Sequence, residues 1–123
     1  MSPKPKHELA REHLERASTA IAAGDVVVAI TFLHLAAEAA VVTLAEREGI
    51  PTQKSHAKKA TAAHELHERN VVADDLRPIL MMLNQARKDA GYEGEDPELD
   101  ERQLVDIADR IDAVVSRAEE LAR

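Results

Sequence analysis

Hydrophobic positions along the chain recur at helical intervals, and one stretch breaks that rhythm by being apolar on every side. Leu9, Leu14, Ala17 and Ile21 share a face of a predicted helix from about Lys6 to Ala22, which closes at Gly24. Residues 26 to 45, VVVAITFLHLAAEAAVVTLA, then carry one formal charge, Glu38, and one other strongly polar side chain, His34, a turn earlier. Asp25 is placed to cap this helix and Gly49 to end it. A helix that is apolar all round is one enclosed by other helices, so this segment is expected at the centre of a bundle. At about 20 residues it would also reach across a bilayer. A carboxylate near the midpoint is costly in hydrocarbon, however, and Ala37, Ala39 and Ala40 give poor lipid affinity, so no membrane contact is expected.

Gly49, Ile50 and Pro51 break the central helix, and Ser55 offers an N-cap for a third helix from about His56 to Arg69. Asp74 is expected to cap a fourth, with Pro78 in its first turn and Leu76, Ile79, Leu80, Leu83 and Ala86 turned inward. Gly91 to Pro97 reads as a loop. The fifth helix, from Leu99 or Asp100 onward, places Leu104, Ile107, Ile111, Val114, Ala118 and Leu121 at alternating spacings of three and four, a seam for packing on a neighbour. No strand pattern competes. The expected fold is all-α: an up-and-down four-helix bundle with one shorter accessory helix, the third, in a single domain over residues 1–123.

Composition narrows the chemistry. The chain has no cysteine, which excludes disulfides, thiol nucleophiles and cysteine zinc sites. Its first residues, MSPKPKHELAREHLER, lack an apolar stretch of the secretory kind, so a cytoplasmic location is expected. The net charge is −7, and all of it falls in residues 71–123, since acids and bases balance over residues 1–70. Capture of duplex DNA normally relies on a basic face, so no duplex DNA partner is expected.

Three polar groupings remain as candidates. His34 and Glu38, four apart, share a helix face; they form either a ligand site or, by the favoured reading, a buried polar pair satisfied by an Arg or His at a helix crossing. No Glu is followed by His three residues on, which removes a di-iron bundle. His56, His64 and His67 lie on the third helix, with Lys54, Lys58 and Lys59 around its start. A helix N-terminus with basic flanks can hold a phosphate, although a solvated face accounts for the same residues. The sequence HELHE at 64–68 is not a zinc-protease spacing, and the run Glu93, Glu95, Asp96, Glu98, Asp100, Glu101 lacks the order of a calcium loop. No metal and no cofactor are expected. Last, Asn84, Arg87 and Tyr92 stand where the fourth helix gives way to the acidic connector; a guanidinium and a phenol there could grip a phosphate or merely pin the connector. Met81 and Met82, side by side on the same helix, leave an adaptable apolar edge that suits a symmetric homodimer.

The order of these features resembles the HEPN family. It has a long helix in the style of Ala29-x-x-x-Leu33-His34-x-Ala36-x-Glu38, a Gly49-Ile50 break, a Lys54-Ser55-His56 entry to the next helix, and an Arg87-x4-Tyr92 element. The resemblance covers roughly residues 8–120. It implies a helical bundle, often dimeric, in which a complete Arg-x(4–6)-His motif cleaves RNA without metal, in toxins, RNA processing and defence. Here Arg87 stands at the motif arginine and Asn84 beside it, but Tyr92 replaces the histidine. A phenol with pKa near 10 is a poor proton-transfer group at neutral pH. Members lacking the histidine serve as binding or partner modules, for instance beside nucleotidyltransferases. The expectation is therefore a non-catalytic or weakly active module that binds a nucleotide, RNA or a partner protein through Asn84, Arg87, Tyr92, His56 and Lys54. The alternatives are an active metal-independent ribonuclease in which Tyr92 or a third-helix histidine takes the missing role, and a purely structural dimeric interaction domain.

Overall fold

Five α-helices account for most of the chain in a computed structural model that describes residues 4–94 and 97–122, with the side chains of Tyr92 and Glu93 outside the description. They are α1 (Lys6–Ala22), α2 (Val26–Glu48), α3 (His56–Glu68), α4 (Arg77–Lys88) and α5 (Glu101–Leu121). No strand occurs among the described residues. The fold is an all-α helical bundle, as the periodicity predicts.

Local chemistry sets most of the boundaries. The carboxylate of Asp25 accepts the Val28 amide at 3.3 Å, and α2 stops at Gly49, whose φ of 71° a side chain would strain; the Ile50 amide then turns back to the Ala45 carbonyl at 2.8 Å. Ser55 caps α3 by accepting from the Lys58 amide. Asp100 opens α5 in a reciprocal box with Gln103.

Two local expectations are corrected. Asp74 does not cap α4. Helix α4 starts later, after Leu76 in the N-cap position, where the neighbouring Asp75 carboxylate accepts the Arg77 amide at 2.9 Å, and Asp74 instead forms a two-pronged ion pair with Arg110 at 2.6 and 2.8 Å. The connector expected from Gly91 is not loop from its start either. The chain continues from Asp89 to Glu93 as a π-helical turn, and only Gly94, at φ 67°, ends it, its amide bonding the Asp89 carbonyl five residues back. No proline interrupts 89–93, so nothing there forces the helix to stop. Glu95 and Asp96 of the acidic run lie outside the described residues.

Helix α2 is the hub, packing against each of the other four. With α1 and α5 it forms one tight group, while α3 and α4 pack on each other and on α2. Leu33, Leu44, Ala36, Ala37, Ala40 and Ala45 are fully enclosed, and the α5 seam of Leu104, Ile107, Ile111, Val114 and Ala118 is buried as its spacing predicts. Enclosure of α2 is nevertheless incomplete. Val27, Val28 and Leu35 are exposed, and Thr31, Phe32, Ala39 and Val42 are partly so, which leaves an open apolar stripe along the helix. Helix α2 is long and apolar enough to cross a membrane by length and composition, but half of its most apolar window is buried against the rest of the bundle.

Candidate functional site

Where α2, α3 and α4 meet, the apolar interior gives way to a cluster of polar side chains. His34 and Glu38 enter it from one face of α2, four residues apart, and both are buried. Glu38 Oε2 is the focus of the cluster: His34 Nε2 lies 3.5 Å from it and His56 Nδ1 2.5 Å. Lys59 Nζ stands 3.6 Å from the other oxygen, Oε1. His56 is the first residue of α3, fixed by the Ser55 cap, and Lys59 follows on the same face three residues later. The His34 and His56 rings sit 5.3 Å apart, centroid to centroid.

Arg87 approaches the same cluster from α4. Its Nη2 donates to Asn84 Oδ1 at 3.0 Å, while its buried Nε has no hydrogen-bond partner among the described residues. Burial above all pushes the His34 imidazole down to about 4. Glu38 opposes that shift, and the positive ends of His56, Arg87 and Lys59 reinforce it, so His34 is neutral at physiological pH. A buried carboxylate facing two imidazoles and an ammonium, with the Arg87 guanidinium close enough to act on His34, is an electropositive arrangement inside an acidic chain.

Next to this cluster opens a cleft of about 310 Å³ between α3 and α4. His56, Thr61, Arg77, Asn84 and Gln85 supply its polar lining, and Ala60, Leu80 and Met81 its apolar part. Among the described residues, no carboxylate lines it. Arg77, Leu80, Met81 and Asn84 recur at helical spacing along α4, so a single helix face makes one wall. Arg87 is not part of the lining and reaches it only through Asn84.

The residues singled out from sequence thus separate into two sets. His34, Glu38, His56, Asn84 and Arg87 converge. Lys54 does not join them: it sits exposed in the turn before α3 at φ 56°. His64 is also directed elsewhere, against Asp75 at 2.7 Å. The side chain of Tyr92 lies outside the described residues, and its backbone falls in the π-helical turn after α4. Sequence reasoning missed Arg77, and it named Lys59 only as a basic flank of the third helix, not as a partner of Glu38. The signal for Lys59 was its spacing of three from His56; for Arg77 it was the shared face with Asn84, seven residues on.

A buried polar cluster at a three-helix junction, beside a cleft lined by Arg77 and His56, sits within a small all-α helical domain. The HEPN domain family model matches residues 7–121, nearly the whole chain, and the protein belongs to the HEPN family. No curated protein and no solved structure shows significant similarity to it.

Proposed function

We propose that this HEPN domain is a non-catalytic or weakly active binding module whose α3–α4 cleft takes the phosphate of a nucleotide or an RNA end. The observation that carries this reading is the local charge. In a chain of net charge −7, Arg77 and His56 line the cleft without a carboxylate between them, and behind it Arg87 keeps a buried Nε–H without a partner among the described residues. The Arg77 guanidinium and the His56 imidazole are the groups that would meet a phosphate in the cleft, with Arg87 adding positive charge behind them. Asn84 and Gln85 add neutral donors suited to a ribose or base edge. The module works in the cytoplasm as a homodimer, with the open α2 stripe through Val28 and Leu35 and the exposed Met81 as association surface. Toxin–antitoxin, defence and nucleotidyltransferase-associated systems are the settings in which such a module acts.

Polarisation titrations with labelled ADP and with a short single-stranded RNA test this reading. The expected result is saturable binding that Arg77→Ala weakens about tenfold or more, the worth of a charge-assisted hydrogen bond of about 1.5–3 kcal/mol. Equal binding by wild type and Arg77→Ala overturns it. A second reading, a metal-independent ribonuclease, is supported by the 2.5 Å contact between His56 and Glu38, which orients an imidazole at the cleft where Arg87-x4-Tyr92 offers only a phenol. Cleavage of the same RNA in excess chelator by wild type, lost in Arg87→Ala, selects this reading over the first. Binding without cleavage eliminates it.

A further inference from the structure

We infer that His34, Glu38 and His56 form a binding site for a divalent transition-metal ion, with Zn²⁺ the best-suited cation. The donor atoms, the two imidazole nitrogens and a carboxylate oxygen, all lie within 4.8 Å of one another. Two imidazoles and a carboxylate are a donor set that borderline ions such as Zn²⁺ accept at about 2.0–2.2 Å. In a tetrahedral site those bond lengths put the donors roughly 3.4 Å apart. His34 Nε2 and Glu38 Oε2 already stand 3.5 Å apart on the rigid face of α2. Only His56 has to adjust, opening from 2.5 Å, and its half-exposed side chain at the start of α3 is free to turn.

The surroundings fit a site of three protein ligands with one open position rather than a closed structural site. Lys59 occupies Glu38 Oε1, which leaves Oε2 directed between the two histidines and holds the carboxylate in that orientation. His56 also lines the cleft, so the fourth position of an ion bound there faces it, open to water or a phosphate oxygen. The neighbouring cations set the selectivity. Lys59 and Arg87 oppose any ion held by charge alone, so Mg²⁺ and Ca²⁺, which prefer all-oxygen shells, are rejected, while an ion that gains from imidazole nitrogen is retained. The inference does not rest on the phosphate reading, since the ion is to be measured without nucleotide.

The test is titration of the untagged, metal-stripped full chain with Zn²⁺ by calorimetry, and with Co²⁺ by visible absorption, which reports coordination geometry. The expected result is one ion per chain, an intense tetrahedral-type Co²⁺ spectrum, and a rise in Tm with Zn²⁺ but not with Mg²⁺. His56→Ala, a change at a half-exposed position that the fold tolerates, should weaken Zn²⁺ by more than about tenfold, the least that loss of even a supporting residue costs. The site is overturned by unchanged affinity in His56→Ala, by loss of binding in His64→Ala instead, or by no Zn²⁺ uptake. That last result leaves the three residues as a hydrogen-bonded group holding α3 to α2.

Discussion

Helix α2 faces two quite different neighbourhoods, and they use its side chains for different ends. It packs most extensively on α1 and also on α5, and that group is closed at its margin by Arg11, which donates to Asp112 at 2.5 Å and to Glu119 at 2.6 and 3.1 Å across from α1 to α5. The Glu119 hydrogen bond above all raises the Arg11 guanidinium beyond its ordinary range, so that clamp is permanently charged. Towards α3 and α4 the same helix presents His34 and Glu38, beside a cleft that no side chain fills. The first neighbourhood maximises apolar burial. The second keeps two polar side chains in the interior, where replacement by well-packed apolar residues is often neutral or better for stability. Polar groups retained at that junction are therefore better explained by what they bind than by what they hold together.

The largest effect expected from this contrast is on the packed side. Leu33 is completely enclosed, and Leu33→Ala should lower stability by about 2–5 kcal/mol, read as a fall in the denaturant midpoint. Met81→Ala, at a position 57 % exposed on the cleft side, should move the same midpoint by less than about 0.5 kcal/mol. Comparable losses for the two would mean that the cleft side is packed as tightly as the core, and the contrast would fail.

Next in size is the cap that positions the cluster. Ser55→Ala removes the acceptor for the Lys58 amide and should cost about 1 kcal/mol. Because His56 follows directly, the same change should also weaken ligand binding, whereas Asp25→Ala, the matching cap of α2, should cost similar stability and leave binding intact. Parallel binding losses in both would show that global loosening, not placement of His56, is being measured.

Smaller again is the ion pair that ties α5 to the segment before α4. The Arg110 hydrogen bond chiefly holds the Asp74 carboxyl below its ordinary value of 3.8. A depressed carboxyl favours the folded state fully above that ordinary value and loses its contribution as pH falls through the depressed one. Both partners are partly exposed, so Asp74→Asn should cost only about 0.2–1 kcal/mol at neutral pH. Thermal melts of the two proteins should converge as pH falls through that depressed value. A gap that persists in acid would assign the loss to packing.

How far the sequence reached differs between these two sides for a physical reason. Helices α1, α2 and α5 announce themselves because their partners lie along the whole length of the chain's apolar stripes, and any register that buries Leu104, Ile107 and Ile111 is close to the right one. The pairing of His34 with Glu38 was likewise legible, since four residues is one helical turn. Their meeting with His56 was not, because it depends on how the turn at residues 49–55 aims α3, and Gln53 and Lys54 take positive φ there without a glycine to mark it. Asp74 misled for a related reason. An acid just before a helix reads as a cap, and only the tertiary position of Arg110 reveals its other partner.

The sharpest test reads binding rather than stability. Glu38→Met keeps the length of the side chain and removes the charge that His56 and Lys59 share. Breaking a buried ion pair is usually costly because a bare charge is left behind, about 3–5 kcal/mol. Here no bare charge is left in the interior: buried His34 is neutral, the His56 side chain is 49 % exposed and that of Lys59, at 20 %, is partly so. Stability should therefore change by less than about 1 kcal/mol in chemical denaturation, while Zn²⁺ uptake disappears. A protein destabilised by several kcal/mol would place the carboxylate with Leu33 as part of what holds the bundle together, and the division of α2 into a packing face and a binding face would no longer stand.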